Sequence, residues 1–365
     1  MKVHAAVLRN GAGPFAVEEV DLAPPGPGEA LVRIVGTGLC HTDLLPRHGF
    51  PLPGPMVAGH EGAGVVEAVG PGVTQVVPGD HVVLSYDSCG WCARCLNGEP
   101  AYCAEFVPRN LFGLRPDGST PMTDEDGRPI AARWFGQSSL ATHAIATERN
   151  MVQVDRELPL ELLGPLGCGI QTGAGSVLLA LQVSAGSSIA IFGAGAVGLA
   201  AVMAAKVAGA GEIIAVDLHA KRRELALELG ATRAVDGADP EVVARIKGWT
   251  GGVDRAFDTT AVPSVVVTAV DSLRARGVCA LVGAGGDLTL PSRAMVGGVT
   301  VKYVMEGDAV PQLFIPRLIA LWQQDRFPFD RLIRTYALDA VNDAERDAAA
   351  GETVKPVLLP GELSI

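Results

Sequence analysis

The longest feature in the pattern of polar and apolar positions is a run of 44 residues, Leu162 to Ala205, without one charged side chain. On length it would pass for a membrane span, yet nine glycines and Gln171, Thr172, Ser176, Gln182, Ser184, Ser187 and Ser188 interrupt it. Its longest piece free of polar side chains, Ile189 to Ala205, has 17 residues and three of those glycines. A helix needs roughly 20 apolar residues to cross a bilayer. The run is therefore read as buried parallel strands with helix faces packed on them, which appear in sequence as continuous apolar stretches.

From Ser188 onward the pattern alternates between short apolar strands and alanine- and leucine-rich helices. Strands are expected at Ser188–Phe192, Glu212–Val216, Arg255–Asp258 and Gly277–Val282, and helices at Leu199–Ala208, Glu224–Leu229 and Val262–Leu273. Between the first strand and the first helix lies Gly193-Ala194-Gly195-Ala196-Val197-Gly198, a G-x-G-x-x-G loop in the strand-before, helix-after setting that gives the motif its meaning. The first glycine permits the tight turn, the second lets backbone approach a pyrophosphate, and the third lets helix pack on strand. Phosphate then meets free N–H groups and the helix dipole. Asp217, nineteen residues past Gly198, can accept hydrogen bonds from the adenosine ribose hydroxyls and would repel a 2′-phosphate, so NAD is favoured over NADP. The loop Gly283-Ala284-Gly285-Gly286 ends a later strand, where doubly wound sheets bind ligands.

Composition narrows the classes. The chain has 365 residues, enough for two domains, with 48% hydrophobic residues and a mean hydropathy of +0.29, which excludes a disordered chain. Its 29 Lys and Arg against 40 Asp and Glu give a net charge of −11, unsuited to nucleic acid. Lys2, His4 and Arg9 leave no apolar core for a secretory signal, and a soluble cytoplasmic protein is expected.

Four of the seven cysteines, Cys89, Cys92, Cys95 and Cys103, fall in one window spaced C-x2-C-x2-C-x7-C. In a reducing compartment such a set is expected to hold a metal, and four thiolates give the closed tetrahedral site of structural zinc. An iron–sulfur cluster is the competing reading. Elsewhere Cys40-His41-Thr42-Asp43 precedes Gly59-His60-Glu61, and Cys168 lies within the uncharged run. Two thiolates and one imidazole would make a three-ligand zinc site with its fourth position open, as metal-assisted alcohol or carbonyl chemistry requires. Taken alone, His60 would be read as a structural histidine and Cys168 as an inert thiol; the four-cysteine window reverses that. Cys279 is read as a buried thiol.

Together these residues resemble the zinc-dependent medium-chain alcohol dehydrogenases, and among them the NAD-dependent aryl (benzyl) and allylic alcohol dehydrogenases. The resemblance rests on the segments already quoted and on Phe135-Gly136-Gln137-Ser138-Ser139, Leu166 to Gly173, Glu306-Gly307-Asp308 and Arg326-Phe327-Pro328-Phe329-Asp330. It implies an α/β chain: a GroES-like, β-rich catalytic domain over residues 1–169 carrying the zinc lobe 89–103, a Rossmann NAD-binding domain with a doubly wound parallel sheet over 170–303, and a C-terminal return to the catalytic domain over 304–365. Cys40, His60 and Cys168 then match the catalytic zinc ligands, a set known in this family. Asp43 lies behind them, Glu61 beside the ion as a transient ligand, and Thr42 in the proton path. Arg222 would lie on the adenosine ribose, Thr172 near the nicotinamide, and His41 and Lys355 near the pyrophosphate. Two zincs per chain, an alcohol or aldehyde as the small-molecule partner and a homodimer or homotetramer follow from the same likeness, with no nucleic-acid or membrane partner.

One position departs from the family. Many relatives carry a histidine five residues after the first zinc cysteine, and here Leu45 stands there. His48 would substitute through water, or serve no purpose. Leu45 with Ser85-Tyr86 would line a pocket suited to an apolar alcohol. The implied reaction is oxidation of a primary aromatic or allylic alcohol to the aldehyde, with hydride passing to NAD. The alternatives are a dehydrogenase of S-hydroxymethyl thiol adducts and a non-catalytic, zinc-poor relative. Residues 115–133 are a polar stretch whose place, active-site rim or surface loop, the sequence leaves open.

Overall fold

The computed structural model describes residues 1–9, 11, 13–48, 54–283 and 285–361; Ala284 and the side chain of His48, both considered above, lie outside the described residues. The chain divides into two units. The first comprises Met1–Cys168, Val310–Pro316 and the chain from Leu332 on; the second comprises Gly169–Ala309 and Arg317–Arg331. Residues 304–309 and Arg317–Arg331, expected in the returning segment, thus group with the second unit. The Arg331 guanidinium pairs there with Glu228, and the Trp322 indole donates to Asp330 at 2.9 Å, which ties this stretch together.

The first unit is built on two sheets. In one, the antiparallel strands Lys2–Leu8 and Ala16–Leu22 are flanked by Met56–Val57 on one side and by Met122–Thr123 and Pro129–Ile130 on the other. The polar stretch 115–133 therefore contains two short strands that extend a sheet, with Met122 and Ile130 fully buried. In the other sheet Glu29–Gly38 is central. It pairs with Gly62–Val69 and His143–Thr147, and its end meets Lys355–Leu359. Its alternate residues Ala30, Val32 and Ile34 point to one face and enter the core with Val66, Val82, Leu84 and Ala144.

The second unit carries one parallel sheet of six strands in the order Arg233–Asp236, Glu212–Asp217, Ser188–Phe192, Val253–Asp258, Leu273–Leu281, Thr300–Tyr303. This is the 3-2-1-4-5-6 order of the Rossmann fold, in which ligands bind where the order reverses, here between Ser188–Phe192 and Val253–Asp258. The uncharged run is divided among short elements, including the helices Gly169–Gly175 and Ala196–Val207 and the fully buried strand Ser188–Phe192. Among the described residues no single helix is long and apolar enough to cross a membrane. Cys279 is buried in the strand Leu273–Leu281, where burial pushes its thiol well above the usual range.

Candidate active site

Within the first unit the cysteines gather in two places. The sulfurs of Cys89, Cys92, Cys95 and Cys103 all lie within 4.8 Å of one another. Their loop turns inward through Gly90, whose φ of +86° is a left-handed conformation that suits glycine. Backbone N–H groups point at the sulfurs: Cys92 to Cys89, Cys89 to Cys103 and Glu105 to Cys103, each at 3.3 Å, and Ala104 to Cys92 at 3.5 Å. Such donors favour thiolates, the form a metal needs.

The second cluster draws on distant segments. Cys40 follows the strand Glu29–Gly38, His60 precedes Gly62–Val69, and Cys168 follows the turn Gly164–Gly167. Their ligand atoms and a Glu61 carboxylate oxygen lie within 4.8 Å of one another. Asp43, fully buried, organises two of these segments. One of its oxygens accepts the Gly59 N–H at 2.8 Å and meets His60 Nδ1 at 2.8 Å, and the other accepts the Cys40 N–H at 3.0 Å. With Nδ1 engaged, His60 Nε2 is the ring atom left for a metal, and it is buried with no hydrogen-bond partner. The Cys40 thiol is held well below its usual range, first by hydrogen bonding to Cys168 and against its burial. Cysteine and imidazole ligands with an orphaned, buried Nε2 fit zinc.

Lys355, which the family likeness puts near the pyrophosphate, has its ammonium on Glu61, at 2.8 and 2.9 Å from the two carboxylate oxygens. Burial works against its charge, but the Glu61 carboxylate holds its pKa above the usual lysine value. His41 and Thr42 open the 3-10 helix His41–His48, which also carries half-buried Leu45. At the Ser85-Tyr86 strand end, Ser85 Oγ donates to the Gly167 carbonyl at 2.6 Å, and the Tyr86 ring packs 5.8 Å from that of Phe106. Both face inward because they brace the turn before Cys168 and the helix after the cysteine lobe.

A role that sequence reading missed belongs to Gln137. Its buried amide donates to the His60 and Ser85 carbonyls, each at 3.0 Å, and accepts the Gly62 N–H at 3.1 Å. All three partners are more than fifty residues away, so the only local signal was an uncharged polar cluster in the segment Phe135 to Ser139.

In the second unit the Gly193 loop is shaped for a dinucleotide. A side chain at Gly193, where φ is +92°, would strike Thr259 Oγ1 at 2.3 Å, and one at Gly198 would strike the Gly193 carbonyl at 1.8 Å. At Gly195 the space is open and the helix Ala196–Val207 starts with no side-chain cap, so its first N–H groups are available to phosphate. Asp217 accepts the Ala194 N–H at 2.6 Å and the His219 N–H at 2.8 Å. A pocket of this unit is lined by Gly193, Asp217, His219, Arg222, Thr260 and Val262. Val197 lies in the first turn of that helix and Thr172 in the helix Gly169–Gly175.

These features define a zinc-dependent dehydrogenase with a dinucleotide domain. Comparison with known proteins agrees. Residues 26–156 match the alcohol dehydrogenase GroES-like domain and residues 196–321 the zinc-binding dehydrogenase family. The chain is 46% identical to the geraniol dehydrogenase of Castellaniella defragrans, with 98% of each chain covered. Two crystal structures resemble it end to end. An alcohol dehydrogenase zinc-binding domain protein from Burkholderia ambifaria is 50% identical with a TM-score of 0.96, covering 99% of each chain. A benzyl alcohol dehydrogenase from Acinetobacter calcoaceticus is 44% identical with a TM-score of 0.94, covering 98% of this chain and 99% of the other. The chain belongs to the zinc-dependent medium-chain alcohol dehydrogenases, enzymes that carry zinc and pass hydride to NAD.

Proposed function

We propose that the enzyme oxidises primary aromatic or allylic alcohols to aldehydes. The observation that carries the substrate class is the end-to-end likeness, at 44% and 46% identity, to a benzyl alcohol and a geraniol dehydrogenase. Leu45 supports it, since an apolar side chain replaces the relay histidine of many relatives. When bound, zinc supplies a Lewis acid that makes the alcohol proton easier to remove, and NAD accepts the hydride.

The protein's own residues do the rest. Cys40, His60 and Cys168 would hold the metal, Asp43 fixes the tautomer and direction of His60, and Glu61, paired with Lys355, would serve as a fourth ligand through oxygen. Thr42 Oγ would relay the alcohol proton, accepting it as its own hydroxyl proton passes on toward solvent. The Gly193 loop and the first turn of Ala196–Val207 hold the pyrophosphate, Asp217 and Arg222 the ribose, Thr172 the nicotinamide end, and His41 adds positive charge. The chain works as a cytoplasmic homodimer or homotetramer; its seven cysteines, none in a disulfide, favour a reducing compartment, and sedimentation tests the assembly.

The deciding experiment compares NADH formation with benzyl alcohol, geraniol, ethanol and a glutathione–formaldehyde adduct. Highest kcat/KM with benzyl alcohol or geraniol is expected, and preference for the adduct overturns the reading. Asp217→Ala should relax discrimination against NADP; unchanged selectivity would show that the carboxylate does not face the ribose.

A further inference from the structure

Two contacts of the His60 ring bear on its position. Asp43 holds Nδ1, which fixes where the imidazole sits but leaves its tilt about that hydrogen bond free. Since the Nε2 lone pair lies in the ring plane, tilt decides whether it points at a metal. The tilt is set by Phe135, whose ring stacks on the imidazole with centroids 4.5 Å apart and planes 28° from parallel.

Phe135 is held in turn from the direction of the cysteine lobe. Its backbone is left-handed, φ +49°, a costly conformation for a bulky residue that persists only where its surroundings impose it. Asn150 Nδ2 donates to the carbonyls of Phe135 and Gly136, each at 3.2 Å, and the Trp134 ring meets Phe135 edge-on at 5.4 Å. A further ring contact is Phe106, edge-on at 6.3 Å and 87°. Phe106 opens the helix Phe106–Asn110, and its N–H donates to the carbonyl of Cys103, the fourth cysteine of the lobe, at 2.9 Å. An unbroken line of packed groups therefore runs Cys103, Phe106, Phe135, His60.

We propose that Phe135 is a positioning residue for His60, and that the four-cysteine lobe, through Phe106, sets the direction in which His60 offers Nε2. The lobe thus helps preorganise the catalytic site as well as brace the fold. This rests on Cys40, His60 and Cys168 being the catalytic metal site.

The test uses full-length enzyme with cobalt in that site and zinc in the lobe, because cobalt's visible d–d bands report ligand geometry directly. Phe135→Leu and Phe106→Leu should each shift those bands and speed removal of the cobalt by a chelator, about tenfold for Phe135→Leu, a typical effect of losing a group that orients a ligand. The double variant should be no worse than Phe135→Leu alone, since both act along one line. Phe135→Tyr, which keeps the stacked ring, should behave as wild type. A Phe106→Leu chain that sheds its lobe zinc still reports, because shifted cobalt bands are expected and unchanged bands overturn the proposal. Unaltered bands and release rate in Phe135→Leu overturn it, as do additive effects in the double variant. Failure of the wild-type chain to take cobalt at Cys40, His60 and Cys168 would overturn the site reading itself.

Discussion

Cys89, Cys92, Cys95 and Cys103 come from one window of chain and are turned inward by their own loop, with backbone N–H groups donating to the sulfurs of Cys89, Cys92 and Cys103. Cys40, His60 and Cys168 arrive from three separate segments and meet only because the central sheet brings those segments together. The first site can therefore be assembled largely from local geometry. The second depends on buried charge to stay assembled: Asp43 joins two of its segments, and Lys355 neutralises Glu61 at its edge. The lobe has charges too, but at its base, where Arg109 reaches Asp87 at 3.2 Å and Arg133 and Arg115 converge on Glu29. Damage to the catalytic cluster should accordingly appear in metal binding and turnover, and damage at the base of the lobe in stability.

The sharpest way to separate the sites is Cys40→Ser. Of the two metal clusters only the catalytic one loses a ligand, so metal content should fall from two zincs to one per chain and turnover should vanish while the lobe keeps its ion. Full turnover with two zincs bound would break the comparison. Next in size is Lys355→Met, which strands the Glu61 carboxylate in a fully buried place. Breaking a buried pair in this way costs about 3–5 kcal/mol. Urea unfolding should show that loss, and a second change, Glu61→Gln, should restore much of it; if it does not, the pair is not the reason for the loss.

The same contrast explains what could be read from the chain in advance. The cysteine window and the Gly193 loop are local patterns whose chemistry depends on spacing, and both take the arrangement expected of them. The helix after that loop starts at Ala196 instead of Leu199, because Gly198 belongs inside its first turn, against the Gly193 carbonyl. The expected helix Val262–Leu273 spans Pro263–Asp271, since Leu273 already begins the next strand. The strands Arg233–Asp236 and Thr300–Tyr303 escaped notice because they are the outermost in their sheet and bury little: in the first only Val235 is buried, and in the second none is. The pairing of Lys355 with Glu61 was not legible, because nothing near Lys355 in sequence reveals a partner 294 residues away. Gln137, Ser85 and the stacked pair of Phe135 and His60 were hidden for the same reason.

Asp43→Asn tests the buried carboxylate that holds the His60 ring of the catalytic cluster. The amide keeps the shape but loses the charge that orients His60 and one of its accepting oxygens, so catalytic metal affinity should fall about 10–100-fold. Chelator competition measures this site by site. The lobe metal should be retained as in wild type, and equal weakening at both sites would mean that Asp43 acts on the fold as a whole.

The smallest effect is expected at the base of the lobe and depends on pH. Glu29 is buried, and burial alone would raise its pKa; Arg115, bonded to both carboxylate oxygens at 2.7 and 2.8 Å, and Arg133 overcome this and hold it below the usual glutamate value. A carboxylate with a lowered folded-state pKa contributes stability that is present above its unfolded value, about 4.3, and is lost as pH falls through the folded one. Glu29→Gln should therefore cost roughly 1.5 kcal/mol at neutral pH, the low end for a hydrogen bond to a charged group. The gap between variant and wild type should close progressively below about pH 4.3. Unfolding followed from pH 7 downward measures it. A gap that stays constant into acid would mean that the side chain contributes shape and not charge, leaving Asp87 and Arg109 as the ionic fastening of the lobe.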